Sequence, residues 1–157
     1  MNILKGNAQD ADTRGTGWFV GFGDWTVLPG SDLLHVPKDQ PLAGLCIKWY
    51  DHPESQESGP KPVSEGRTIS ILVSDGCFEV DFSTDPDFHP DAGVERVVLR
   101  RQGDFVAWGE GIYHRWRCAE RTKVLTVRWG EAAARREEGG RADGAGEVAP
   151  SAAGRRS

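Results

Sequence analysis

Acid–base chemistry near neutral pH needs an imidazole, and this 157-residue chain has four histidines. His114 has the best placement. It lies in Gly103 to Cys118, GDFVAWGEGIYHRWRC, where two strand-like runs, Asp104 to Trp108 and Ile112 to Trp116, flank Gly109-Glu110-Gly111. Glycine at both ends of a three-residue connector supplies positive φ without steric cost, so the spacing predicts a tight hairpin with a bulge. Strand side chains alternate between faces, which sets His114 between Ile112 and Trp116 on the buried one. An inward imidazole is equipped to accept and donate protons. A core histidine bonded to a neighbouring strand is the alternative. His35 and His89 fall in proline-bounded loops, and His52 directly precedes Pro53.

The elements that must position His114 are strands. Leu45 to Asp51 alternates, with Leu45, Ile47 and Trp49 on one face, and stops at His52-Pro53. Arg67 to Ser74 and Cys77 to Phe82 flank Asp75-Gly76, the strongest short hairpin signal in the chain. Glu95 to Arg101 and Thr122 to Trp129 complete the set. About eight short strands without a convincing helix predict an all-β sandwich or barrel. Met1 to Thr16 is polar and reads as an N-terminal arm or an edge strand. Gly17 to Trp25 is apolar enough to be ordered, whereas Pro29 to Gly44 is interrupted by Pro29, Pro37 and Pro41. The domain spans residues 17–130. Residues 131–157 hold no aromatic residue and one valine, too little to offset chain ordering, so a disordered tail is expected.

Composition narrows the function. A net charge of −5 and a pI near 5.4 argue against a nucleic-acid or anionic-membrane surface. No apolar run is long enough to span a bilayer. The opening MNILKGNAQDADTRG lacks the apolar core of a signal peptide. Cys46, Cys77 and Cys118 are odd in number and without metal-ligand spacing. Buried, reduced thiols in a cytoplasmic protein are expected.

The central stretch also resembles the second cupin motif: glycine, five residues, proline, one residue, glycine, two residues, histidine, three residues, asparagine. Gly103, Gly111 and His114 fall in register, with Gly109 at the proline position and Cys118 at the asparagine. From Gly17 to Trp129 the chain is similar to a small single-domain, RmlC-like cupin, which implies a jelly-roll β-barrel. The resemblance fails at the first motif. Anchoring that motif's glycine on Gly76 places Ile69 where the acidic ligand belongs, and its His-x-His within Pro62 to Glu65, where there is no histidine. No metal and no other cofactor is therefore expected; a divalent metal at His114 would require Glu65 or His52 to fold inward.

The family register also makes Glu65, Arg67, Ile69, Ile71 and Val73 the inward face. It implies a pocket with Arg67 at its mouth, able to clamp a carboxylate or phosphate; an ordinary edge-strand arginine is the alternative. Trp108 and Trp116 would wall this pocket, with His52 at its rim. The expected function is binding of a small polar or aromatic metabolite. The alternatives are an isomerase, lyase or cyclase using His114 with Arg67 or Glu65, and a metal-dependent oxygenase with unusual ligands. A homodimer is expected, paired through Gly17 to Phe22, which is apolar on both faces.

Overall fold

The computed structural model describes residues 1–13, 15–22, 32–36 and 42–130. The expected tail, 131–157, and parts of the Gly17 to Trp25 and Pro29 to Gly44 segments lie outside the described residues. In chain order the strands are β1 (Ile3–Asn7), β2 (Gly21–Phe22), β3 (His35–Val36), β4 (Ala43–His52), β5 (Arg67–Leu72), β6 (Cys77–Ser83), β7 (Glu95–Leu99), β8 (Asp104–Trp108), β9 (Tyr113–Glu120) and β10 (Thr122–Gly130). Among the described residues a single 3₁₀ turn, Pro90–Ala92, is the only helical element. No helix there is long and apolar enough to cross a membrane.

One sheet runs β1-β8-β5-β10-β4 and a second runs β7-β6-β9. All pairings within both are antiparallel. Residues 55–64 extend the second sheet along β9. The amides of Ser55, Ser58, Lys61 and Ser64 donate to the carbonyls of Cys118, Trp116, His114 and Ile112 at 2.8–2.9 Å. Three residues of this segment thus span two of the opposite strand, the mark of repeated bulging. Pro60 and Pro62 are tolerated because the segment is an edge.

With that segment counted, the inner walls read β4-β10-β5-β8 and 55–64, β9, β6, β7. The chain alternates between walls at every step except β6 to β7. Two interleaved Greek keys of this kind make a jelly roll.

The topology corrects both hairpin expectations. β8 and β9 lie in different sheets, as do β5 and β6. Gly109-Glu110-Gly111 and Asp75-Gly76 therefore carry the chain across the barrel instead of folding it back. Glycine suits either task. At position 76 it is required by close approach, since a Cβ there would lie 2.6 Å from Thr122 Cβ and 2.7 Å from the Arg121 carbonyl oxygen.

The apolar side chains form two layers. Between the sheets, Leu72, Phe78, Val80, Phe82, Val106 and Trp108 are buried together; each such side chain contributes about 1.5–3 kcal/mol. On the outer face of the larger sheet, Leu33, Leu34 and Val36 pack over Ile69, Phe105 and Ala107, with Phe19 and Val20 partly buried beside them. Phe19 stands 5.4 Å, ring to ring, from Phe105. The segment expected to reach a second subunit thus covers its own sheet. Among the described residues that cover stops short of β4, where Leu45, Ile47 and Trp49 are 56%, 66% and 61% exposed.

Of the two readings for the opening residues, the edge strand holds, as β1 on β8. Two smaller expectations change. His35 is in a short strand paired in parallel with β2, not in a loop. Cys46 is exposed while Cys77 and Cys118 are buried, and all three are free thiols.

Candidate functional site

The inner face of the larger sheet carries a polar band that the register assembles. Across β8, β5 and β10, Trp108 pairs with Thr68 and Thr68 with Arg128. One row further in, Ser70 pairs with Thr126 and Thr126 with Lys48 of β4. The Ser70 and Thr126 hydroxyls share a hydrogen bond of 3.0 Å. The intervening residues, Ile69, Val127 and Ile47, face the other way, as strand alternation requires. Opposite this band, β6 and β9 contribute Phe78, Val80, His114 and Trp116, and the walls enclose a cavity of ≈ 370 Å³.

His114 is inward, as its alternation predicts. Its ring lies 5.0 Å from that of Trp108, whose indole N–H is already given to Ser64 Oγ at 2.8 Å. The buried Nδ1 of His114 has no hydrogen-bond partner, nor does the buried Oγ1 of Thr68. Burial pushes the imidazole pKa down to about 4, and the positive charges of Arg128, Lys61 and Lys48 push the same way. At neutral pH the ring is therefore uncharged, offering one donor and one acceptor.

His52 is not in a loop at the rim. It ends β4, 3% exposed, with its ring 4.5, 5.0 and 4.4 Å from Tyr50, Phe78 and Trp116. Its Nδ1 meets Gln56 Oε1 at 3.0 Å, and burial lowers its pKa. His52 is a fixed part of the wall. Trp116 stacks on Phe78 at 5.5 Å, so both expected tryptophan walls line the cavity. Glu65 is exposed and lines it as well.

Arg67 is a correction. It does not line the cavity; its Nη1 donates to the His35 carbonyl oxygen at 2.6 Å. The inward face of β5 is Thr68 and Ser70, not Arg67, Ile69 and Ile71. The cations at the cavity are Lys48, Lys61 and Arg128, none of which the sequence reading singled out. A signal for Lys48 was present. If Leu45, Ile47 and Trp49 share one face, Lys48, Tyr50 and His52 share the other.

The cavity residues do not fit the metal centre that the cupin motifs imply. Ile69 faces outward and its inward neighbours are hydroxyls, leaving no acidic ligand on β5. Among the described residues, one group of three ligand-type side chains comes together: Asp85, Asp87 and His89, with donor atoms within 4.8 Å. It lies between β6 and β7, outside the cavity wall, and Asp85 organises a turn there. The Asp85 carboxylate accepts the backbone amides of Asp87 and His89 at 3.1 and 2.9 Å and meets His89 Nδ1 at 2.6 Å. Those bonds lower the Asp85 pKa, and Asp85 raises that of His89.

No protein-family model matches the chain, and no curated protein matches it. It is similar in structure to HEPD of Streptomyces albus, solved with 2-hydroxyethylphosphonate and Fe(II) bound (TM-score 0.47, 18% identity, 64% of this chain and 22% of that one). It is also similar to the TDP-quinovose 3,4-ketoisomerase WlaRB of Campylobacter jejuni (TM-score 0.43, 12% identity, 53% and 60%). A third is a cupin superfamily protein of Desulfitobacterium hafniense (TM-score 0.41, 13% identity, 55% and 67%). The chain thus spans about a fifth of the first and three-fifths of the second. Its own strand order defines the fold: a small jelly roll of the cupin type.

Proposed function

We propose that the chain binds a small polar or aromatic metabolite in the barrel cavity without a three-histidine metal centre. The observation that carries this is a ≈ 370 Å³ cavity, within the range of small-ligand sites, whose wall sets the polar residues His114, Thr68, Ser70 and Thr126 among Phe78, Trp108 and Trp116. Native mass spectrometry of freshly purified protein is the test. A small molecule bound to the wild type and absent from His114→Leu supports the reading. A bare wild-type mass, with no tryptophan fluorescence response to any aromatic or polar fragment, overturns it.

Catalysis of the isomerase, lyase or cyclase kind is the second reading, with uncharged His114 as base. Binding is favoured because no described carboxylate hydrogen-bonds the ring, and the nearby charges that act on it are cationic. Both features oppose the imidazolium that a base must become. A metal-dependent oxygenase has the least support, for want of ligands.

The free thiols support a reducing compartment such as the cytoplasm. We also propose that two copies pair through the outer face of β4. Among the described residues it is the end strand of its sheet and continues the apolar layer that the cover from Leu33, Leu34 and Val36 leaves open.

A further inference from the structure

Charge narrows the ligand class. Lys48 from β4, Lys61 from the edge segment and Arg128 from β10 all line the one cavity. Among the described residues none of the three is in an ion pair; the eight that form use other cations. Glu65 is the single carboxylate on the cavity wall. In a chain with net charge −5, three cations outside any ion pair against one acid make a local field opposite in sign to the whole; Lys48 Nζ also stands 4.9 Å from the centre of the Tyr50 ring. That field reaches inside, since the same three side chains act on His114.

The neighbouring groups are suited to the same task. Arg128 pairs in register with Thr68, and Thr68 with Trp108, so a guanidinium, a hydroxyl and an indole stand side by side across three strands. A planar guanidinium matches the oxygens of a carboxylate or phosphate, and the indole on the same row suits an apolar remainder.

We propose that the cavity recognises its ligand by an anionic oxygen head, a carboxylate or a phosphate, held among Lys48, Lys61 and Arg128, with the rest of the ligand against Trp108 and Trp116. The proposal rests on the binding reading above and specifies its substrate class. It also moves the anion clamp expected at Arg67 to the opposite face of β5 and onto a different strand.

The test compares probes of one shape and different charge: benzoate, phenyl phosphate and neutral benzamide, titrated into the full chain at low salt and followed by tryptophan fluorescence. The anions should bind about tenfold or more tightly than benzamide, and the tighter of the two identifies the head group. Arg128→Met, Lys48→Met and Lys61→Met should each weaken the anions by about fivefold or more and change benzamide by less than about twofold. All three side chains are exposed, and thermal melts confirm that the variants fold. Raising salt from about 0.02 M to about 0.3 M should weaken the anions alone. Equal binding of benzamide and benzoate overturns the anionic head while leaving the cavity reading standing. Anion binding that all three variants retain overturns it as well. No binding by any probe overturns both.

Discussion

The state of His114 gives the sharpest test of the site. Its pKa falls from 6.5 to about 4, which at 1.36 kcal/mol per pH unit corresponds to about 3 kcal/mol. The sign follows from linkage. Between these two values the unfolded chain carries a proton at this residue and the folded chain does not, so stability rises with pH across that window. As pH drops from 6.5 toward 4 the contribution is progressively lost, and below 4 the loss stops growing. Other groups titrate nearby: His52 is shifted in the same direction, and Asp81 and Asp104 are held below the usual carboxylate range. The wild-type curve alone is therefore a mixture, and the difference from His114→Leu isolates the residue. Because Nδ1 has no partner, the substitution should change stability at about pH 7.5 by no more than about 1 kcal/mol. At about pH 4.5 the variant should be the more stable by about 2–3 kcal/mol relative to that baseline, measured by urea unfolding. A parallel pH dependence in the two proteins, or an NMR titration placing His114 at 6 or above, would refute the reasoning.

Further outcomes follow from other parts of the fold. Asp81 accepts Arg96 Nε at 2.6 Å and Arg115 Nε at 3.0 Å, which, with the Arg96 bonds foremost, depress its pKa. Asp81→Asn should lower stability at pH 7 by about 1–3 kcal/mol, a deficit that shrinks as acid protonates the wild-type carboxylate; equal urea midpoints at neutral pH would contradict it. Gly76→Ala should cost about 2 kcal/mol or more through the contact with Thr122, and an unchanged melting temperature would show that the corner yields. Protein purified without added metal should carry far less than one transition metal per chain; stoichiometric metal by elemental analysis, lost on His114→Ala, would count against the ligand argument. If two copies pair through β4, Ile47→Lys should shift sedimentation from dimer to monomer with β structure retained. A monomeric wild type at tens of micromolar, or an unaltered dimer in the variant, would dismiss the pairing.

Strand positions were legible because alternation and turn residues are local properties. Asp104 to Trp108 matches β8 end to end, and Thr122 to Trp129 differs from β10 by one residue. His114 was legible for the same reason. Strand partners were not, because Asp-Gly and Gly-Glu-Gly permit either a hairpin or a crossing between sheets, and distant strands decide which. The inward face of β5 was misassigned because it was taken from the cupin register, and the apolar Ile69 and Ile71 on that face agreed with it. Here Ile69 and Ile71 do point into an apolar layer, but it lies outside the barrel under the chain's own cover, while Thr68 and Ser70 turn to the cavity. The face with less hydrophobicity is the one that lines the cavity. Lys48 and Arg128 escaped because each belongs to a strand whose inward face had not been tied to the pocket.

The place of β10 in the larger sheet has a consequence for how the protein is made. It is the last strand described, yet it lies between β5 and β4 and pairs with both. On the ribosome, therefore, β4 emerges early and has no partner among the described strands of its sheet until residues beyond Thr122 arrive, while β5 can meet β8 first but gains its second neighbour only then. β1 waits similarly for β8. A nascent chain in which nearly every pairing is distant along the sequence cannot bank structure as it grows, and should fold late, slowly and as a unit. Until then the apolar strands Leu45 to Trp49 and Ile69 to Leu72 are open to wrong partners, so synthesis that stalls before the final strand should yield aggregates, not partial barrels.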